Sequence, residues 1–67
     1  MRIETRTARL LVLMRLQDDG FLDGLSQAEI GRRMGVNRST ILRDLQVIKN
    51  IRSLYRKHVL AWADRAA

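Results

Sequence analysis

Leu25-Ser-Gln-Ala-Glu-Ile-Gly-Arg-Arg-Met-Gly-Val-Asn-Arg-Ser-Thr-Ile-Leu-Arg-Asp-Leu45 decides the fold of this 67-residue chain. Ser26-Gln-Ala-Glu29 has the spacing of a capping box. The Ser26 hydroxyl would accept from the Glu29 backbone N–H while the Glu29 carboxylate reaches back to the N–H of Ser26, which fixes a helix start. Ile30 and Met34 give that helix an apolar face. It is expected to end near Met34, because Gly35 suits the left-handed conformation that closes a helix. Gly31 is small enough to let the next helix approach closely. Val36 then plugs the core, and Asn37 is a strong N-cap for a further helix. Two helices joined by a short glycine turn make a helix-turn-helix, expected here over about residues 26–50.

The second helix of the motif has two unlike sides. At about 100° per residue, Ile41, Leu45 and Ile48 cluster on one side, whereas Ser39, Arg43, Gln46 and Asn50 lie opposite, with Arg38 near the helix start. Arginine can donate two bonds to guanine O6 and N7, Gln or Asn can pair with adenine N6 and N7, and Ser serves either. The capped start of the first helix offers free amides to a phosphate, with Ser26 and Gln27 beside it. Arg32, Arg33, Lys49, Arg52, Arg56 and Lys57 are read as phosphate contacts, which position a protein without specifying sequence.

Quoted as it stands, Leu-Ser-Gln-Ala-Glu-Ile-Gly-Arg-Arg-Met-Gly-Val-Asn-Arg-Ser-Thr-Ile-Leu-Arg-Asp-Leu resembles the helix-turn-helix of DeoR-type repressors and related bacterial regulators, over roughly residues 9–50. It is less similar to the DNA-binding ends of some recombinases and sigma factors. The resemblance implies that Arg38, Ser39, Thr40 and Arg43 enter the major groove and that Gln27 touches the DNA backbone. Three departures stand out. Gly31 occupies a position where alanine is usual, and Leu42 one where a polar residue is common, so Leu42 would meet a thymine methyl or face protein. The β-hairpin wing of winged relatives is not evident, although Leu54-Tyr-Arg-Lys-His58 faintly resembles its first strand.

The expected base-reading set is therefore Arg38, Ser39, Leu42, Arg43 and Gln46. The expected DNA-backbone set is Ser26, Gln27, Arg32, Arg33, Asn37, Thr40, Lys49 and Asn50.

Outside the motif, helix 1 is expected from about Thr5 to Asp18. Its Leu10, Leu11, Val12, Leu13, Met14 and Leu16 exceed what one core stripe needs, so a second face should be covered by the C-terminal helix or by another subunit. Asp18-Asp-Gly-Phe-Leu-Asp-Gly24 reads as a loop with Phe21 and Leu22 folded inward. From Arg38 to the end there is no Gly or Pro. Ile51, Leu54, Tyr55, His58, Val59 and Trp62 recur at helical spacing, giving a C-terminal helix over about residues 52–65. Arg52 would interrupt a straight seam, which favours a bend near 50–53. Leu54, Tyr55, His58, Val59 and Trp62 are the expected dimerisation residues, and a homodimer would double the contact of one short reading helix.

Composition bounds the rest. A chain of 67 residues forms one small domain whose core is marginal alone. Without cysteine there is no disulfide and no thiolate metal site. No apolar run approaches a bilayer span, and Met1-Arg-Ile-Glu-Thr-Arg6 does not read as a signal peptide. Cytoplasmic, nucleoid-associated residence is expected. The formal charge is +6, unevenly spread. Residues 1–31 carry four Arg against five acids, and residues 32–67 carry nine Lys or Arg against two Asp. A basic half attracts polyanions.

Catalysis is not expected. There is one histidine, no Gly-rich phosphate loop, and Asp18, Asp19 and Asp23 lack the spacing of a calcium loop. The reading is thus an all-α, three- to four-helix helix-turn-helix domain with a C-terminal helix in place of a winged hairpin. It would bind double-stranded DNA with no cofactor, metal, membrane or evident small-molecule ligand. The alternatives are a DNA-binding module of a recombinase, transposase or larger regulator, and a protein-interaction module that retains the fold.

Overall fold

The computed structural model describes residues 5–66. It is all-α, with α1 over Arg6–Asp18, α2 over Gln27–Met34 and α3 over Arg38–Leu54. A π-helical stretch, Tyr55–Leu60, and a final helix α4, Ala61–Ala66, follow. No strand occurs among the described residues, and none of their helices is long and apolar enough to cross a membrane.

Helix α1 begins where the Thr5 hydroxyl accepts from the Ala8 N–H at 3.2 Å. It ends in a left-handed glycine closure. Gly20 adopts φ 79°, its N–H donates to the Gln17 carbonyl at 3.2 Å, and the Phe21 N–H donates to the Leu16 carbonyl at 2.9 Å. That pair of bonds satisfies carbonyls at the helix end. The closure also corrects one expectation. Leu22 turns inward and packs on the core, but Phe21 stays 66% exposed.

Helix α2 starts as its sequence predicts, with the Ser26 hydroxyl accepting from the Glu29 N–H at 3.2 Å. Among the described residues only this half of the capping box is made. The helix ends at Gly35, φ 75°, with Gly35 N–H to Arg32 carbonyl at 3.4 Å and Val36 N–H to Gly31 carbonyl at 2.9 Å. Gly31 does more than leave room. A Cβ built there would lie 2.7 Å from the Val36 carbonyl oxygen and 3.4 Å from the Arg38 nitrogen, both backbone atoms. Asn37 occupies the N-cap position of α3 through its carbonyl, but its side chain makes no capping bond.

The fully packed apolar core is small: Leu13, Ile30, Met34, Ile41 and Ile48, one or two from each of the first three helices. Leu10, Val12, Met14, Leu16, Leu22, Leu25, Val36 and Leu45 flank it. The buried stripe of α3 is Ile41, Asp44 and Ile48, with Leu45 at its edge. Asp44 is 1% exposed. It is matched by α1: Arg9 Nε donates to Asp44 Oδ2, Arg9 Nη2 lies 3.4 Å from Oδ1, and Arg6 Nε is 3.9 Å from Oδ1.

The C-terminal half departs from expectation. No bend forms near residues 50–53; the backbone stays helical through Tyr55 (φ −57°, ψ −51°) and Ala61 (φ −64°, ψ −39°). No Gly, Pro or capping side chain interrupts it, and one looser π turn absorbs an extra residue. Arg52 sits within the unbroken helix, and its charge is used against α1. Its guanidinium meets Asp18 Oδ1 at 2.9 Å, Gln17 Oε1 at 3.2 Å and the Met14 carbonyl at 3.3 Å, at the end of α1. The resulting rod accounts for the longest dimension, 44 Å. Nor does this segment cover α1: no residue of Tyr55–Ala66 is buried, and Leu11 remains 64% exposed.

Two substitutions test this packing. Gly31→Ala, which gains about 1 kcal/mol at an open helical site, is expected here to lower stability by about 1–2 kcal/mol through overpacking, measured by urea unfolding. Asp44→Ala leaves the Arg9 guanidinium buried without its partner. It should cost about 3 kcal/mol, and replacing Arg9 by Leu in an Asp44→Leu background should restore most of the loss.

Candidate nucleic-acid interface

A helix whose buried stripe is fixed presents a defined outer face. Because Ile41, Asp44 and Ile48 face the core, Ser39, Arg43, Gln46 and Asn50 point away from it, within roughly 60° of one another at about 100° per residue. All four are exposed, as are Arg38 at the helix start and Leu42, which is 50% exposed. The expected base-reading residues are thus brought together on one accessible surface of α3. Leu42, expected to meet a thymine methyl or protein, is half-exposed, and none of the described residues covers it fully.

The charge on this face comes from the same arrangement. Asp44 is inside and paired with Arg9, so the acid nearest the polar face does not oppose Arg38, Arg43 and Lys49. The remaining acid of the basic half, Asp64, lies at the far end of the rod. Two acids at the end of α1 are engaged as well, Asp18 with Arg52 and Asp19 with Arg15 at 2.9 Å each.

The expected backbone contacts fall into four groups. Ser26 is exposed and Gln27 half-buried at the start of α2, where the first N–H groups of a helix have no partner in its own ladder. Arg32 and Arg33 are exposed at the end of α2, beside Glu29. Asn37 and the half-buried Thr40 border a shallow depression floored by Gly31, Gly35 and Val36. Lys49 and Asn50 are exposed further along α3.

Arg52, expected among the phosphate contacts for its charge, joins α3 to the end of α1. Asp44 is the residue that sequence reasoning passed over. Its position three after Ile41 and four before Ile48 placed it within the apolar stripe, and an acid there requires a buried cation. The expected dimerisation residues Leu54, Tyr55, His58, Val59 and Trp62 are all exposed along the rod.

No protein-family model matches this chain, and neither a curated protein nor a solved structure matches it.

The two arginine roles separate in one experiment. Arg52→Ala should lower the free energy of urea unfolding by about 1 kcal/mol, with a matching fall in midpoint, less than a buried pair because of solvent screening. Lys49→Ala, on an exposed position, should leave the midpoint unchanged.

Proposed function

We propose that this protein binds double-stranded DNA in a sequence-specific manner, as a small transcriptional regulator that reads the major groove with α3. The observation that carries the reading is the polar, basic face of α3 set opposite a buried Ile41–Asp44–Ile48 stripe in a helix-turn-helix. Arg43 and Gln46 are the principal base readers, joined by Arg38 and Ser39 near the helix start and by Leu42 toward thymine methyls. Arg32, Arg33, Lys49 and the start of α2, with Ser26 and Gln27, hold the phosphates. Thr40, Asn37 and Asn50 complete the backbone contacts. The likeness of residues 9–50 to DeoR-type repressors supports the same reading.

The proposed mechanism follows from charge and shape. The basic face concentrates the duplex by counterion release, a sequence-independent attraction. The short Ser39 in the first turn of α3 lets the helix approach the base edges, where the paired donors of Arg43 favour guanine and the amide of Gln46 favours adenine. The buried Arg9–Asp44 pair keeps α3 from rotating about its axis, so the reading face is preset before binding.

Selection of a random double-stranded DNA pool by the purified protein, followed by sequencing, tests the proposal. One enriched motif is expected. Arg43→Ala should weaken binding to that motif by about 1–3 kcal/mol and relax preference at one base pair. Lys49→Ala should weaken all sequences alike and reduce the slope of log K against log salt by about 0.9. Unchanged affinity and base preference in both Arg43→Ala and Arg38→Ala would overturn the reading.

A further inference from the structure

We infer that the C-terminal rod pairs antiparallel with the rod of a second copy, with the two-fold axis passing beside His58. The orientation argument rests on the DNA-reading face proposed above; the pairing itself does not.

The surface demands a cover. Ile51, Leu54, Tyr55, Val59, Leu60 and Trp62 are 41–70% exposed within twelve consecutive residues. Helical segments this short are marginal in water unless an apolar face is packed. Leu60 lies off the seam that the other five form; on side chains of roughly 200 Å² each, those five exposures amount to about 540 Å² per copy. Two copies bring about 1,100 Å² together, just above the ~1,000 Å² that a specific protein interface should clear. A second copy supplies a matching strip of the same length without any further partner.

Direction follows from where the faces lie. Counting about 100° per α-helical residue, and somewhat less through the wider π turn, Leu54, His58 and Trp62 form one row. Ile51, Tyr55 and Val59 form a second, and the seam lies between them. That seam is about 90° around the rod from the Ser39–Arg43–Gln46–Asn50 face. A parallel pair would turn the two reading faces to opposite sides. An antiparallel pair turns both to one side, toward a single duplex whose own two-fold axis coincides with that of the protein.

Antiparallel pairing about His58 also matches the side chains. Leu54 meets Trp62 of the second copy and His58 meets its own counterpart, while in the second row Tyr55 and Val59 come beside each other, offset by about two residues or roughly 3 Å. The centres of the two reading segments then lie roughly 40 Å apart at about 1.5 Å per residue, close to the ~34–36 Å separating half-sites one duplex turn apart.

A chain without cysteine makes the test direct. Sedimentation should give a dimer in the absence of DNA, and Trp62→Asp should give a folded monomer. His58→Cys should oxidise to a disulfide-linked dimer. Leu54→Cys and Trp62→Cys should each fail to link alone but link when the two variants are mixed. Self-linking of Leu54→Cys and of Trp62→Cys would show a parallel pair and overturn the orientation. A wild-type monomer would overturn the pairing, including one that binds anionic phosphatidylserine vesicles through this face. Neither result would touch the DNA reading, which the monomer's own affinity for duplex reports separately.

Discussion

The carboxylate of Asp44 sits in the middle of the stripe by which α3 meets the rest of the molecule, at a depth where an unmatched charge is costly. Two neighbouring turns of α1 answer it: Arg9 with a forked pair of donors, and Arg6 from further out. Apolar contacts alone would let α3 roll or slide against so small a core, because dispersion and hydrophobic burial have little directionality. A forked guanidinium accepts few geometries. The pair therefore fixes which side of α3 faces inward, and with it which side chains are presented outward. It also removes a negative charge from the vicinity of the polar face, so one interaction sets both the orientation and the sign of the candidate interface.

Much of this was legible where backbone geometry has a residue-level signature. Ser26, Gly31 and Gly35 marked the start of α2, its close approach to the next element and its closure, and each is found in that role. The outer face of α3 was legible for the same reason, since a helix opposes its two sides at fixed spacing. What escaped were tertiary pairings. Arg52 looked like a surface cation because nothing local says that the end of α1 lies beside it. Asp44 looked like part of a family pattern because its partners are thirty-five and more residues away in sequence. Phe21 was expected inside on hydrophobicity alone, and the left-handed Gly20 closure leaves it outside.

The bend expected near residues 50–53 was drawn from a charged residue falling on an apolar seam. A helix is not broken by charge at one position; it is broken by lost hydrogen bonds or by a backbone that cannot adopt its dihedrals. No residue from Arg38 onward imposes either. The π turn over Tyr55–Leu60 widens the helix locally without ending it.

The rod gives this protein a built-in optical reporter. Trp62 is the only tryptophan, it is 70% exposed, and it stands near the end of the chain, away from the five buried apolar side chains. In a single folded copy its indole is exposed to water, so melting that copy's core would change its emission little, whereas separating a paired rod would change it. The same indole would shift to the blue and lose accessibility to a collisional quencher when something settles over the rod. Intrinsic fluorescence in this molecule is a gauge of contact at its tip, while circular dichroism has to follow its folding.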